Sequence, residues 1–353
     1  MHFIRASALV LMLVLTPTLL AFKLTNPFLY NRVNRNLHGT IVDYTNNSRI
    51  DNRIWSESLC EKRDLYVYLP PDYDSSKAYP LLIWLHGFSQ DENVLINYVV
   101  KPFDCAIASG KLPPMIIAAP DGSLNKSFKL IPPGSFFINS NAGNYEDYIM
   151  KDLLGFLTKN YLIRTEREAH SVAGTSMGGA ASYHLGIKHN QFFKNIAGIS
   201  PPLNLRYMDH KGSYMGDFSA ACTELRTDFS KGHMTVGKFF GFFLVKAKDI
   251  QSDLFSFKDP NIVTEIAAVN PTEMLDFYNI KNGMLNMYLA YGKKDEFNLD
   301  AQAESFLHQA QAKGIHVDVD VDQHGRHNTA TAKRFIPHMI DWLAIQSKDL
   351  APN

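Results

Sequence analysis

The sequence predicts an α/β fold, with a mainly parallel central sheet flanked by helices and an insertion between two core strands. Strand-like apolar runs alternate with helical segments along the chain, and such alternation implies right-handed crossovers between parallel strands. The 353 residues are 46% hydrophobic and 20% charged, a composition that can build a large core. No repeat or low-complexity linker divides residues 23–353, so we expect one domain there.

Turn residues and hydrophobic periodicity locate the elements in order. Residues 81–85 and 115–119 are continuous apolar runs, which is typical of strands buried on both faces. The predicted strands are 39–44, 64–69, 81–85, 115–119, 170–173, 196–199, 284–290 and 315–321. The predicted helices are 145–161, a helix opening after 174–179 and running to about 188, then 300–313 and 329–347.

Residues 1–22 predict a signal peptide or an N-terminal anchor. Arg5 supplies a charged start, and an apolar run follows from 6 to 22. No A-x-A cleavage site follows this run, so an uncleaved anchor is the alternative to a cleaved signal. After residue 22 no stretch approaches the roughly 20 apolar residues that a membrane span needs. We therefore expect a secreted or periplasmic protein; the alternative is that it stays tethered to the membrane by its N-terminus.

Residues 203–282 predict an insertion between two core strands, because strand signals lapse there. The segment is either a cap over the site or a helical excursion packed on the edge of the sheet. We favour the second interpretation.

The pentapeptide Gly174-Thr175-Ser176-Met177-Gly178 predicts a nucleophile elbow. A predicted strand precedes it and small residues open a helix after it, which is the setting in which such a turn exposes a reactive serine. The helix N-terminus that follows would offer free N–H groups to a developing oxyanion. Ser176 is therefore the candidate nucleophile.

A serine nucleophile needs a base and an orienting acid, which in an α/β-hydrolase follow it in the order acid, then histidine. Asp295 lies just past predicted strand 284–290, and His327 lies past predicted strand 315–321. Sites in parallel sheets form outside the carboxyl ends of the strands, so these side chains should converge with Ser176. Glu296 is the alternative acid and His324 the alternative base; we favour Asp295 and His327.

The backbone N–H groups of Phe88 and Met177 are the candidate oxyanion-hole donors. One donor should follow the nucleophile, and the second should come from the loop after an early strand, here His86-Gly87-Phe88. His86 itself is interpreted as a residue that shapes this loop.

Taken together, the motifs resemble the putative-esterase family of α/β-hydrolases, which includes esterase D-like, feruloyl esterase-like, enterochelin esterase-like and mycolyltransferase-like members. The resemblance covers about residues 52–343. Its motifs are at 66–73, 79–87, 120–122, 139–140, 143–148, 174–179 and 325–328. It implies an α/β-hydrolase fold and a serine mechanism with Ser176, His327, Asp295 and the N–H groups of Phe88 and Met177. Arg326 replaces the family's usual glycine, and segment 203–282 leaves the substrate pockets unassigned.

Charge and cysteine count exclude other classes. Thirty-five Lys and Arg balance 35 Asp and Glu, so the chain lacks the basic surplus of a nucleic-acid binder. Three cysteines are too few for a disulfide framework. Asp318, Asp320 and Asp322 alternate with valines, which favours a half-exposed strand over a cation site. We expect no metal and no organic cofactor.

The function expected from these residues is a serine carboxylic-ester hydrolase that forms an acyl-enzyme. Its expected substrate is a small-molecule or carbohydrate ester outside the cytoplasm. An acyltransferase of the same fold is the first alternative, because it differs only in the second nucleophile. A non-catalytic α/β-hydrolase used for binding is the second, but such a protein usually lacks a triad residue, whereas all three are present here.

Overall fold

The structure is a computed structural model that describes residues 28–48, 50–124, 133–229, 232–240 and 243–353. The predicted export segment at 1–22 lies outside these residues. No helix in the described ranges is long and apolar enough to cross a bilayer.

Among the described residues, eight strands form the central sheet, in the order β1-β4-β6-β5-β9-β10-β13-β14. Only β4 runs antiparallel to its neighbours, and the other pairings are parallel. The sheet strands are β1 Thr40–Tyr44, β4 Leu65–Leu69, β5 Leu81–Leu85, β6 Ile116–Pro120, β9 His170–Thr175, β10 Asn195–Ile199, β13 Asn286–Gly292 and β14 Asp318–Asp322. Outside this sheet, the part of the chain that the structure describes forms three hairpins: β2 Ile54–Ser56 with β3 Glu61–Arg63, β7 Asn139–Ser140 with β8 Gly143–Asn144, and β11 Thr235–Phe239 with β12 Phe243–Lys246.

The helices lie between these strands in the alternation that the sequence predicts. They are α1 28–34, α2 Val100–Ala108, α3 Tyr145–Asp147, α4 Leu154–Asn160, α5 Met177–Lys188, α6 Ala247–Gln251, α7 Ile262–Ala268, α8 Pro271–Phe277, α9 Leu299–Ala312 and α10 Thr329–Ser347. Wider helical turns at Leu95–Val99 and Tyr148–Leu153 extend α2 backwards and join α3 to α4. The sequence did not predict the helix at 95–108.

The core has two apolar layers, one on each face of the sheet. Strand β5 shows the division, since Leu81, Ile83 and Leu85 pack into one layer while Leu82 and Trp84 pack into the other. This follows from the two-residue period of a strand. Every residue of β5 is buried, as the continuous apolar run predicts for a central parallel strand.

The last two strands begin later than predicted. Strand β13 starts at Asn286 and β14 at Asp318, because the apolar residues before them pack in turns; Ile315 is buried just after Gly314, whose φ is 67°. The aspartates of β14 face α10, where the Trp342 indole N–H donates to Asp318 at 2.9 Å and Arg334 Nε donates to Asp322 at 3.0 Å. The acidic alternation thus anchors the final helix.

Segment 203–282 leaves the sheet after β10 and returns at its neighbour β13. It contains α6, α7 and α8, and α8 packs against α5 and α9. The expectation that strands lapse throughout this segment is wrong at the β11–β12 hairpin. The Lys238 N–H donates to the Glu296 carbonyl oxygen at 2.7 Å, so the hairpin adjoins the loop after β13.

Candidate active site

Ser176 lies in a sharp turn between β9 and α5. Its φ of 53° and ψ of −118° are unusual for a residue with a side chain, and the Ser176 N–H donates to the Ile199 carbonyl oxygen at 2.8 Å. A strained backbone of this kind persists only where the surrounding structure holds it. The turn presents the Ser176 side chain beyond the carboxyl end of β9.

The glycines of the elbow are required by close backbone contacts. A Cβ on Gly178 would lie 2.0 Å from the Leu85 carbonyl oxygen, and one on Gly174 would lie 2.5 Å from the same atom. Strand β5 and helix α5 can approach this closely only because both positions lack a side chain.

The loops after β9, β13 and β14 bring three predicted side chains together. Ser176 Oγ lies 2.9 Å from His327 Nε2, and His327 Nδ1 lies 2.8 Å from Asp295 Oδ2. Because a carboxylate only accepts hydrogen bonds, His327 Nδ1 carries a proton, which leaves Nε2 free to accept from the serine hydroxyl. This arrangement can abstract the serine proton and stabilise the imidazolium that results.

Asp295 is the buried residue at the end of the hydrogen-bonded series Ser176–His327–Asp295. Its side chain has no exposed surface, and the Phe297 N–H donates to its second carboxylate oxygen at 2.9 Å. Burial alone would lower the pKa of His327, but the charge of Asp295 and its hydrogen bond outweigh burial and raise that pKa above its ordinary value.

The alternative acid and base occupy other positions. Glu296 accepts from the His327 backbone N–H at 2.8 Å, not from the ring, and from Arg326 Nε at 2.6 Å. His324 is exposed, and its backbone N–H donates to Asp322. Arg326, which departs from the family pattern, therefore pairs with Glu296. This pair joins the loop after β13, which carries Asp295 (the acid loop), to the loop after β14, which carries His327 (the histidine loop).

Two further features of these loops were not anticipated from the sequence. The Phe297 ring packs edge-on against the His327 imidazole, with centroids 4.9 Å apart. A Cβ on Gly292 would lie 2.4 Å from the Gly325 carbonyl oxygen, so the acid and histidine loops touch through two glycines. The signal available in the sequence was a glycine at the end of β13, Gly292, and another soon after the end of β14, Gly325.

The loop after β5 holds His86 and the predicted donor Phe88. His86 is buried; its Nε2 accepts from the Gly122 N–H at 2.8 Å, so its Nδ1 carries the proton that bonds the Gly87 carbonyl oxygen at 2.8 Å. The ring thus ties the loop after β5 to the loop after β6. Within the described part of the chain, the Phe88 and Met177 N–H groups have no acceptor.

Three carboxylates cluster behind this loop. Ligand oxygens of Asp64, Glu92 and Asp121 lie within 4.8 Å of one another. The buried Arg63 guanidinium donates to Asp121 at 2.7 Å, and Asn47 donates to Glu92 at 2.8 Å. Burial raises the pKa of Asp64 to about 6 and that of Glu92 well above its usual range. The charge of Arg63 outweighs burial and lowers the pKa of Asp121 to about 2, so that carboxylate stays ionised. The cluster reduces its charge by holding a proton on Glu92 and, below about pH 6, on Asp64.

We expect Asp64→Asn to stabilise the protein at pH 8 by about 2 kcal/mol and to have little effect at pH 4. Because the folded chain binds the Asp64 proton more tightly than the unfolded chain, stability falls as pH rises from about 4 through about 6. Chemical denaturation at both pH values checks this. The exposed Asp349→Asn is the control, and an equal gain at both pH values would contradict the assignment.

The chain matches a known protein family along most of its length. The sequence model of the family described as "Putative esterase" matches residues 56–344. The chain is 28% identical over 166 residues to an endo-1,4-beta-xylanase/feruloyl esterase of Xylanibacter ruminicola, covering 44% of this chain and 21% of that protein. It is 27% identical over 188 residues to an S-formylglutathione hydrolase of Arabidopsis thaliana, covering 48% and 64%. The chain thus spans less than two thirds of the length of these relatives.

A solved structure of a ferulic acid esterase has the same fold. The two structures give a TM-score of 0.62 at 16% sequence identity, over 88% of this chain and 99% of that chain. The predicted fold class, a mainly parallel α/β-hydrolase sheet flanked by helices, is confirmed.

Proposed function

Because this chain belongs to the "Putative esterase" family, we propose that it is a serine carboxylic-ester hydrolase whose nucleophile, base and acid are Ser176, His327 and Asp295. The observation that carries this proposal is the continuous hydrogen-bonded chain from Ser176 Oγ through the His327 ring to the buried Asp295 carboxylate. The order of these residues along the sequence, serine, then acid, then histidine, supports it.

In the first half-reaction, Ser176 Oγ attacks the ester carbonyl carbon while its proton passes to His327 Nε2. The carbonyl oxygen becomes an oxyanion, which accepts hydrogen bonds from the Phe88 and Met177 N–H groups. The tetrahedral intermediate then collapses, the bond to the alcohol oxygen breaks, and His327 returns its proton to the departing alcohol. Ser176 is left as an acyl ester.

In the second half-reaction, water replaces the alcohol. His327 Nε2 takes a proton from the water as its oxygen attacks the acyl carbon, and a second oxyanion forms at the same donors. Collapse breaks the bond to Ser176 Oγ, which regains a proton from His327, and the free acid leaves. Asp295 remains ionised throughout and stabilises the imidazolium in each step.

The proposed substrate is a carbohydrate ester outside the cytoplasm. The name of the Xylanibacter relative, which joins a xylanase to a feruloyl esterase, supports this substrate class. The charged start and apolar run of residues 1–22 support export to the periplasm or the exterior. The zero formal net charge favours recognition by the shape of a pocket over long-range electrostatic steering.

A substrate panel tests this proposal. We expect hydrolysis of short p-nitrophenyl esters, and a kcat/KM for feruloyl oligosaccharides or acetylated xylan about tenfold or more above that for medium-chain lipid esters. Free acid and alcohol should appear in equal amounts. If an added sugar or lipid alcohol instead captures most of the acyl group, the protein is an acyltransferase; preference for the lipid esters would refute the substrate class.

A further inference from the structure

A small cavity lies between helix α5, which begins just after Ser176, and segment 203–282. Its walls are largely apolar and include Phe136, Ala180 and Leu254. Two polar side chains also line it, His184 from α5 and Gln251 from the end of α6. The cavity volume is about 10 Å³, which corresponds to a single water-sized sphere.

His184 presents an acceptor atom at this cavity. The residue is buried, and its Nε2 lies 3.0 Å from Glu146 Oε2. Burial alone would raise the pKa of Glu146, but hydrogen bonds from His184, His189 and Lys188 outweigh burial and hold that pKa far below its usual range, so Glu146 is a carboxylate. His184 Nε2 must therefore carry the donated proton, and Nδ1 has an open lone pair because burial keeps the ring neutral.

Neither polar side chain has its acceptor satisfied by the described protein. His184 Nδ1 and Gln251 Oε1 are both buried and have no hydrogen-bond partner among the described residues. An acceptor left without a donor costs about 1–3 kcal/mol. A shared ligand that brings two hydrogen-bond donors would satisfy both of these side chains, which line the same cavity.

We propose that this cavity binds one ordered water molecule, which donates one hydrogen bond to His184 Nδ1 and the other to Gln251 Oε1. Water is the ligand whose size matches the space and whose two O–H groups match two acceptors. The bound water joins α5, the helix that follows Ser176, to α6. It thereby fixes segment 203–282 against the helix that begins at the elbow, a role independent of the reaction that Ser176 performs.

A crystal structure of the full chain at about 1.8 Å resolution or better tests the site directly. We expect one ordered water oxygen within about 3.2 Å of both His184 Nδ1 and Gln251 Oε1. Density for no water, or for a water bonded to only one of the two atoms, would overturn the proposal.

A double-mutant cycle tests the same link in solution. His184→Met removes the Nδ1 acceptor together with one donor to Glu146, and Gln251→Met removes the other acceptor at similar volume. We expect Gln251→Met to raise the equilibrium constant for unfolding about tenfold in the parent protein and to have little further effect in the His184→Met background. Additive losses would contradict a shared water.

His189→Met provides the matched control, because it also removes one donor to Glu146. His189 Nε2 also bonds Glu146, at 2.8 Å, but the residue does not line the cavity. Its effect should add to that of Gln251→Met. Hydrogen exchange of the α6 amides should rise about tenfold in His184→Met and stay unchanged in His189→Met. Equal exchange in both would count against the water.

Discussion

Replacing Ser176 with alanine is expected to lower kcat for ester hydrolysis about 10⁶-fold, leaving only the residual rate that substrate binding and the oxyanion hole support. The substitution removes only the side-chain hydroxyl, whose oxygen lies 2.9 Å from His327 Nε2. Without it no acyl-enzyme can form, and the remaining His327 and Asp295 have no nucleophile to activate. A fluorophosphonate probe should label the parent protein and leave the variant unlabelled. Hydrolysis at the parent rate by the alanine variant would refute the nucleophile assignment.

Ser176→Gly separates loss of chemistry from loss of fold. Glycine tolerates a φ of 53° without the steric penalty that a Cβ carries there. The glycine variant should be as inactive as the alanine variant but more stable than it by about 1 kcal/mol. Thermal denaturation of both variants measures this difference. The backbone angles of Ser176 indicate a strained turn, and equal stability of the two variants would contradict that interpretation.

Replacing Asp295 with asparagine is expected to lower kcat/KM about 10⁴-fold. An amide can donate to His327 Nδ1, which would favour the tautomer with its proton on Nε2, where it cannot accept from Ser176. The acidic limb of the pH profile should also move to lower pH. The base must be neutral to act, and without the carboxylate the raised pKa of His327 falls, because burial then dominates.

Glu296→Gln is the matched control for this prediction. It removes a neighbouring carboxylate. The amide oxygen can still accept from the His327 backbone N–H, whereas the bond from Arg326, which ends on the other carboxylate oxygen, is lost. We expect a loss of about tenfold or less, since the contact to the His327 ring is untouched. A larger loss of kcat/KM in Glu296→Gln than in Asp295→Asn would show that Glu296, not Asp295, is the acid that orients His327.

The elbow could be predicted from the sequence because it is local. Five consecutive residues, a preceding strand and a following helix contain all the steric requirements of the turn around Ser176. The central strands were predictable for a similar reason, since a strand buried on both faces must be apolar at every position, as β5 is.

The choice between Asp295 and Glu296 required the tertiary structure. The two acids are adjacent in one loop, and only the packing of that loop against the loop after β14 decides which carboxylate meets the imidazole. The same holds for Phe297 against His327 and for Arg326 with Glu296. Each pair joins residues about thirty positions apart in two loops, and local propensity does not specify such contacts.

The sequence by itself determined the fold class, the elbow and the order of the candidate triad, because periodicity, turn chemistry and strand ends are encoded in neighbouring residues. The tertiary structure decided which side chains meet and what lies beside them. It brought Ser176, His327 and Asp295 within hydrogen-bonding distance, built a hairpin into segment 203–282, and placed His184 and Gln251 on one cavity. Those outcomes depend on how distant loops and helices pack, which a linear pattern does not encode.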